Sequence, residues 1–320
     1  MTLKIYLFSL FFIIKTALNA QQLPFFTQYR EYNTLLNPAA VSMDYINKGY
    51  NMSFGASLRT QWTGLDRNPQ TQLLKGDYIF SGDAVSMNTG FHFINDQTGP
   101  TGFSGAYARV AGIVGNNDEG GFSAGFNAGL VQFRLNASQI EFADPSDALA
   151  QRDFRKLYPD IGVGIFGYKR LNGRGFFSGD NVYAGFSVPQ TFGLDLTFQE
   201  QNKSFTIKRL PHFYALAGYT KNFSDETYLE TSVWVRYVKN VPVQADFNLR
   251  FQLSSAISLG AGYSSSKALH AEVGFLLGEN VGWDNHAIKI GYGYDVPFNT
   301  ISPHFGAAHE INLSVALDNH

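Results

Sequence analysis

The chain of 320 residues contains no cysteine, which excludes disulfide staples, a lipidated N-terminal Cys and thiolate metal sites. After Gln21 it also lacks any uninterrupted apolar stretch of the ~20 residues that a membrane helix requires. Charge is sparse, at 16% Asp, Glu, Lys and Arg, and nearly balanced at −2, so there is no broad basic face for nucleic acid. No Pro/Ser-rich linker and no block of like charge marks a boundary, and one domain is the simplest organisation.

What the chain does contain is aromatic side chains, at 15%, and 32 glycines. That balance suits aromatic girdles and close-packed strands better than a soluble enzyme. Short runs of alternating apolar and polar residues recur along it, punctuated by Gly, Asn and Asp. In Ala245–Leu253 (ADFNLRFQL), Phe247, Leu249, Phe251 and Leu253 share one face, and Asp246, Asn248, Arg250 and Gln252 the other. A period of two turns one set to lipid and the other to a polar lumen. The expected fold is therefore all-β: a transmembrane antiparallel β-barrel of about fourteen strands, with an N-terminal periplasmic or plug-like segment.

The expected organisation is an export signal over Met1–Ala20, a non-strand segment over residues 21–50, and a barrel over residues 51–320. The leader has Lys4, the apolar run Ile5–Ile14 and Ala17-Leu18-Asn19-Ala20 in the usual tripartite order. Strands are expected near 51–61, 71–80, 87–94, 103–115, 121–134, 160–171, 181–188, 211–221, 227–238, 244–254, 256–264, 269–277, 286–295 and 306–317. An even count returns the C-terminus to the periplasm. Outside would then lie Trp62–Gln70, Asn95–Gly102, Leu135–Pro159, Pro189–Leu210 and Val296–Phe305. Ser81–Ser86, Gly115–Gly120 and Asn222–Glu226 would be periplasmic turns.

Motifs for chemistry are weak. Gly162–Gly167 matches GxGxxG, but it continues as strand without the following helix that a dinucleotide site requires. The seven histidines are scattered, and His309-Glu310 lacks the second His of a zinc helix. Asp83, Asp96, Asp118 and Asp144 fall in connections without a calcium-loop pattern. No nucleophile elbow is present. Catalysis, cofactors and metals are not expected. The remaining candidates are polar-aromatic clusters at strand ends: Leu35–Ala39, Arg59–Gly64 with Asn68–Thr71, and Asn95–Pro100. From the residues alone they are either an aromatic belt with capped turns or contact residues, with Arg59 and Trp62 the most attractive.

The same clusters resemble the motifs of the PorP/SprF family, outer-membrane barrels associated with type IX secretion and gliding motility. The likeness begins at Gln21–Tyr29 (QQLPFFTQY) and Leu36–Ala39 (LNPA), then runs through Arg59–Gly64 (RTQWTG) and Asn95–Pro100 (NDQTGP). It continues through Tyr158–Gly164, Tyr183–Pro189, Pro211-His212, Ile290–Asp295 (IGYGYD) and His309-Glu310-Ile311. Gln190 stands where the family usually has histidine, and Ala307-Ala308 where it usually has Gly-Ser. The resemblance implies a non-catalytic barrel that helps secrete or anchor an adhesin-like cargo bearing a C-terminal signal domain. Implied partners are outer-membrane lipid, that cargo, and periplasmic ring or peptidoglycan-bound components. Candidate protein-contact residues are Gln28, Tyr29, Asn37, Pro38, Arg59, Gln61, Trp62, Asn95, Asp96, Gly99, Pro100, His212, Asp295, His309 and Glu310. The alternative is an outer-membrane transporter of small hydrophobic solutes, or a porin.

Overall fold

The computed structural model describes residues 26–116, 119–140, 153–171, 179–191, 195–200, 203–208, 210–224, 226–283, 285–298 and 306–319. The leader Met1–Ala20 lies outside the described residues, as do Gln21–Phe25, Asp118 and Asp144. Among the described residues, sixteen strands follow the N-terminal segment: β1 Met52–Thr60, β2 Gln70–Phe80, β3 Val85–Thr98, β4 Thr101–Asn116, β5 Gly120–Leu135, β6 Phe154–Leu171, β7 Asp180–Val188 and β8 Asp195–Glu200. Then come β9 Lys203–Lys208, β10 His212–Asn222, β11 Tyr228–Val238, β12 Gln244–Gln252, β13 Ile257–Ser264, β14 Ala268–Leu277, β15 His286–Pro297 and β16 Ala308–Leu317. Fourteen of them form one closed antiparallel barrel, β1 sealing against β16 from Met52↔Leu317 to Thr60↔His309. Among the described residues, β8 and β9 pair with each other and with no barrel strand.

Alternation dictates which way each side chain faces. On β12, Phe247, Leu249 and Phe251 are exposed on the outer wall while Asp246 and Gln252 are buried in the lumen. On β16, Ile311 and Leu313 face out, and Glu310, Asn312 and Ser314 face in. Closing the sheet leaves the barrel strands without a free edge along the seam.

All fourteen expected strands are present, with two differences at their ends and one in a connection. Asn95–Gly102 is mostly ladder: β3 runs to Thr98, β4 starts at Thr101, and the turn is Gly99-Pro100, with Gly99 at φ +56°. The polar residues that read as loop are held by cross-strand partners. Asn95 Oδ1 accepts from Ser104 Oγ and Arg134 Nη2, each at 2.7 Å, and Asp96 Oδ1 accepts from Thr71 Oγ1 at 2.6 Å. Second, β6 begins at Phe154, so Pro159 lies within a strand. Beyond Val163↔Val188 that strand has a ladder partner only on the β5 side, among the described residues, and a proline is tolerated where one edge needs no donor. Third, the β8–β9 hairpin stands inside the expected loop Pro189–Leu210.

The two ends of the barrel differ. The end holding Met52 and Leu317 has the connections 81–84, 117–119, 172–179, 223–227, 253–256 and 278–285. The other end, called here the loop end, has 61–69, 99–100, 136–153, 189–211, 239–243, 265–267 and 298–307, including the two longest.

Candidate functional site

Residues 26–50 occupy the lumen. They form a 3₁₀ turn at Tyr29–Tyr32, a short α1 at Asn33–Leu36 and a second helix, α2, at Met43–Lys48. Ser42 caps α2, its Oγ accepting from Tyr45 N at 3.2 Å, and Gly49 ends it at φ +81°. Two apolar clusters seat the segment. Leu36, Ala39, Val41, Met43 and Tyr45 pack on Ile113, Phe166, Tyr183, Leu216 and Trp234. Phe26, Tyr32 and Leu35 pack on Leu73, Tyr107, Val131, Phe133 and Phe154.

Irregular backbone at membrane depth must have its carbonyls satisfied by the surrounding protein. The lumen wall supplies the donors for the LNPA stretch. Ser187 Oγ donates to Leu36 O at 2.7 Å, Arg109 Nη1 to Pro38 O at 3.0 Å, Ser123 Oγ to Ala39 O at 2.6 Å and Asn88 Nδ2 to Ala40 O at 3.1 Å. Arg109 is held in turn by Asp77, Nη2 to Oδ1 at 2.6 Å. Asn37 is fully buried, donating from Nδ2 to Ile165 O at 2.9 Å. It fits because β6 and β7 carry glycines there: a Cβ on Gly164 would lie 2.0 Å from Asn37 Oδ1, and one on Gly185 2.7 Å from its Nδ2.

A second anchor lies near the loop end. Arg59 of β1 and Glu310 of β16 are directly opposite in the seam, and Asp295 of β15 completes the group. Arg59 Nη1 donates to Glu310 Oε2 at 3.2 Å and to Thr27 Oγ1 at 2.6 Å, while Nη2 pairs with Asp295. Asp295 also meets Thr27 Oγ1 at 2.9 Å and His270 Nδ1 at 2.6 Å. Glu310 accepts the backbone N–H of Thr27 at 2.7 Å and of Gln28 at 3.2 Å. Arg59 is 4% exposed and Glu310 0%, so each charge depends on these partners. Tyr32 is fully buried, its hydroxyl oxygen accepting from Asn312 Nδ2 at 3.3 Å.

Gln28, Asn37, Pro38, Arg59, Asp295 and Glu310 are thus brought together along the segment and its wall, where their nearest partners belong to this chain. Tyr29 opens the 3₁₀ turn. Elsewhere, Asn95 and Asp96 sit at the loop end of β3 with Gly99 and Pro100 in its turn. Gln61 N donates to Pro69 O at 2.8 Å, and Trp62 is 41% exposed at φ +54°. His212 is buried at the start of β10, lining a small cavity with Arg236 and Tyr214. His309 faces outward, its Nδ1 2.7 Å from the Tyr292 hydroxyl. Thr27, Lys75, Asp77, Arg109, Ser123, Ser187 and His270 were not among the candidates. Thr27 and Ser187 lie within the motif stretches Gln21–Tyr29 and Tyr183–Pro189, and for the others the sequence signal is a polar residue at lumen parity within a strand, as with Lys75 and Asp77 on β2.

A closed fourteen-strand barrel with a lipid-facing apolar wall and its own N-terminal segment folded into the lumen defines an outer-membrane β-barrel protein. The sequence model of the family described as "Type IX secretion system membrane protein PorP/SprF" matches residues 18–315, and the chain belongs to that family. Solved structures of similar fold include the CymD monoaromatic hydrocarbon channel, with 12% identity and a TM-score of 0.56 over 91% of this chain and 93% of that one. The Ralstonia pickettii toluene transporter TbuX has 11% identity and a TM-score of 0.56, over 91% and 94%. The P. putida toluene transporter TodX has 10% identity and a TM-score of 0.53, over 90% and 94%. At these identities the likeness is one of fold. No curated protein matches the chain.

Proposed function

We propose that this barrel is a non-catalytic component of type IX secretion that holds a secreted, adhesin-like cargo at the cell surface through the connections of its loop end. Membership of the PorP/SprF family supports the secretion role. The observation that carries the holding role is the occupied lumen. Residues 26–50 run through it from the Arg59 anchor to the opposite end, and among the described residues two cavities beside them measure about 60 and 30 Å³. Such spaces hold a handful of waters, far too few for a polypeptide to pass. Cargo contact then falls to the exterior, where 61–69, 136–153 and 189–211 give the most chain free of the barrel ladder. These connections face outward if the termini end is periplasmic, as in bacterial barrels. Periplasmic ring or peptidoglycan-bound components would meet the opposite end. The cargo is a protein with a C-terminal signal domain, and the leader Met1–Ala20 is removed on export.

The test is replacement of the loop-end connections one at a time by short Gly-Ser links, with barrel assembly checked by heat-modifiable migration and cargo followed by surface labelling. Loss of surface cargo from assembled barrels is expected for at least one of the long connections. Unchanged display throughout the series would reject the proposal.

A further inference from the structure

The lumen has two unlike halves. The large apolar clusters that seat the N-terminal segment draw on β2–β7, β10 and β11, and on no residue of β12–β15. In that second half the inward positions are mostly polar or glycine. Cβ atoms on Gly260 and Gly262 would lie 2.4 Å from Glu272 Cγ and 2.6 Å from Asn248 Oδ1, so the bare backbone there makes room for charged and amide side chains.

Two cavities lie between the segment and this wall. The larger, about 60 Å³, is lined by Glu226 and Ser255 in termini-end connections and reaches Gln28 and Asn312. The smaller, about 30 Å³, lies between Thr27, Asn248 and His270, and His270 is two residues from the loop-end start of β14 at Ala268. Arg250 and Glu272 line both, with Arg250 Nε 3.8 Å from Glu272 Oε1. Gln28 Nε2, Asn248 Nδ2 and His270 Nε2 line these spaces, are buried, and make no hydrogen bond among the described residues. Gln28 is only 7% exposed. Buried polar atoms of this kind are costly in a dry void and are satisfied by water.

We propose that the barrel carries a narrow, water-filled passage for small cations alongside its lumen segment, with the Arg250–Glu272 pair as its constriction. Carboxylates outnumber cationic side chains on the walls of the two cavities by five to three, which favours cations over anions in a confined space. Nothing in this passage depends on the secretion reading, and either can fail without the other.

The experiment is planar-bilayer recording of the purified full-length barrel in KCl. Because the chain has no cysteine, single thiols can be placed cleanly. Ser258 faces the larger cavity, whereas its neighbour Leu259 is exposed on the outer wall. The wild type is expected to pass a small current with K⁺ preferred over Cl⁻ by about twofold or more, as confined carboxylates impose. A cationic methanethiosulfonate should cut the current of Ser258→Cys by more than about half by narrowing the lumen, and leave that of Leu259→Cys unchanged. Glu272→Gln should move the reversal potential toward zero under a KCl gradient. Heat-modifiable migration establishes that each variant is folded. A wild type no more conductive than the bare bilayer would overturn the proposal. So would a Ser258→Cys current that is insensitive to the reagent, or a reversal potential unmoved in Glu272→Gln.

Discussion

Without the Arg59 guanidinium, Asp295 and Glu310 become neighbouring carboxylates in a site closed to solvent. Breaking a buried pair from one side costs roughly 3–5 kcal/mol, so Arg59→Met should loosen the Thr27–Gln28 anchor while the ladder persists. Limited proteolysis of the detergent-solubilised barrel is expected to cut within residues 26–48 in this variant and not in the wild type. Adding Asp295→Asn and Glu310→Gln should restore part of the protection, because no unpaired charge is then left behind. Glycines give a sharper contrast. Gly164→Val would drive a side chain into Asn37, whereas a Cβ on Gly167 has no neighbour nearer than 3.8 Å. The first should free the segment to protease and Gly167→Ala should not. At this scale the sequence was half legible. Thr27, Asn37, Arg59, Asp295 and Glu310 stand out as polar residues in motif clusters, yet His270, which meets Asp295, and Arg109, which holds the Pro38 carbonyl, do not. Parity within a strand reveals that a side chain faces the lumen, but only closure of β1 on β16 decides which lumen residue it meets.

Strands were the most legible elements, since alternation is a local property that barrel closure only reinforces. Their ends were less so. Asn95 and Asp96 look like loop residues until Ser104, Arg134 and Thr71 satisfy them across the ladder. Pro159 looks like a breaker until β7 is found to stop short of it. The N-terminal segment had no period to read, because its order is imposed by donors such as Ser123 and Ser187 on a wall distant in sequence. Ser123→Ala would strand the Ala39 carbonyl at a cost on the order of 1–3 kcal/mol, lowering the thermal midpoint followed by circular dichroism. Among the described residues, the β8–β9 hairpin pairs with no barrel strand. Replacing residues 192–209 by a short link is therefore expected to leave heat-modifiable migration intact while reducing surface-held cargo.

For the whole molecule, the occupied lumen and the concentration of long connections at one end carry the functional reading. An epitope inserted within 61–69 should bind antibody on intact cells, and the same epitope within 81–84 only after the outer membrane is permeabilised. The reverse pattern would invert the barrel and move the contact face to the periplasm. The most direct test is mild-detergent affinity purification of the tagged barrel from outer membranes, with co-purifying proteins identified by mass spectrometry. Recovery of a large secreted protein bearing a C-terminal signal domain, in near-stoichiometric amount and lost when the loop-end connections are replaced, is the predicted result. A barrel that comes down alone from cells actively displaying such proteins would contradict it.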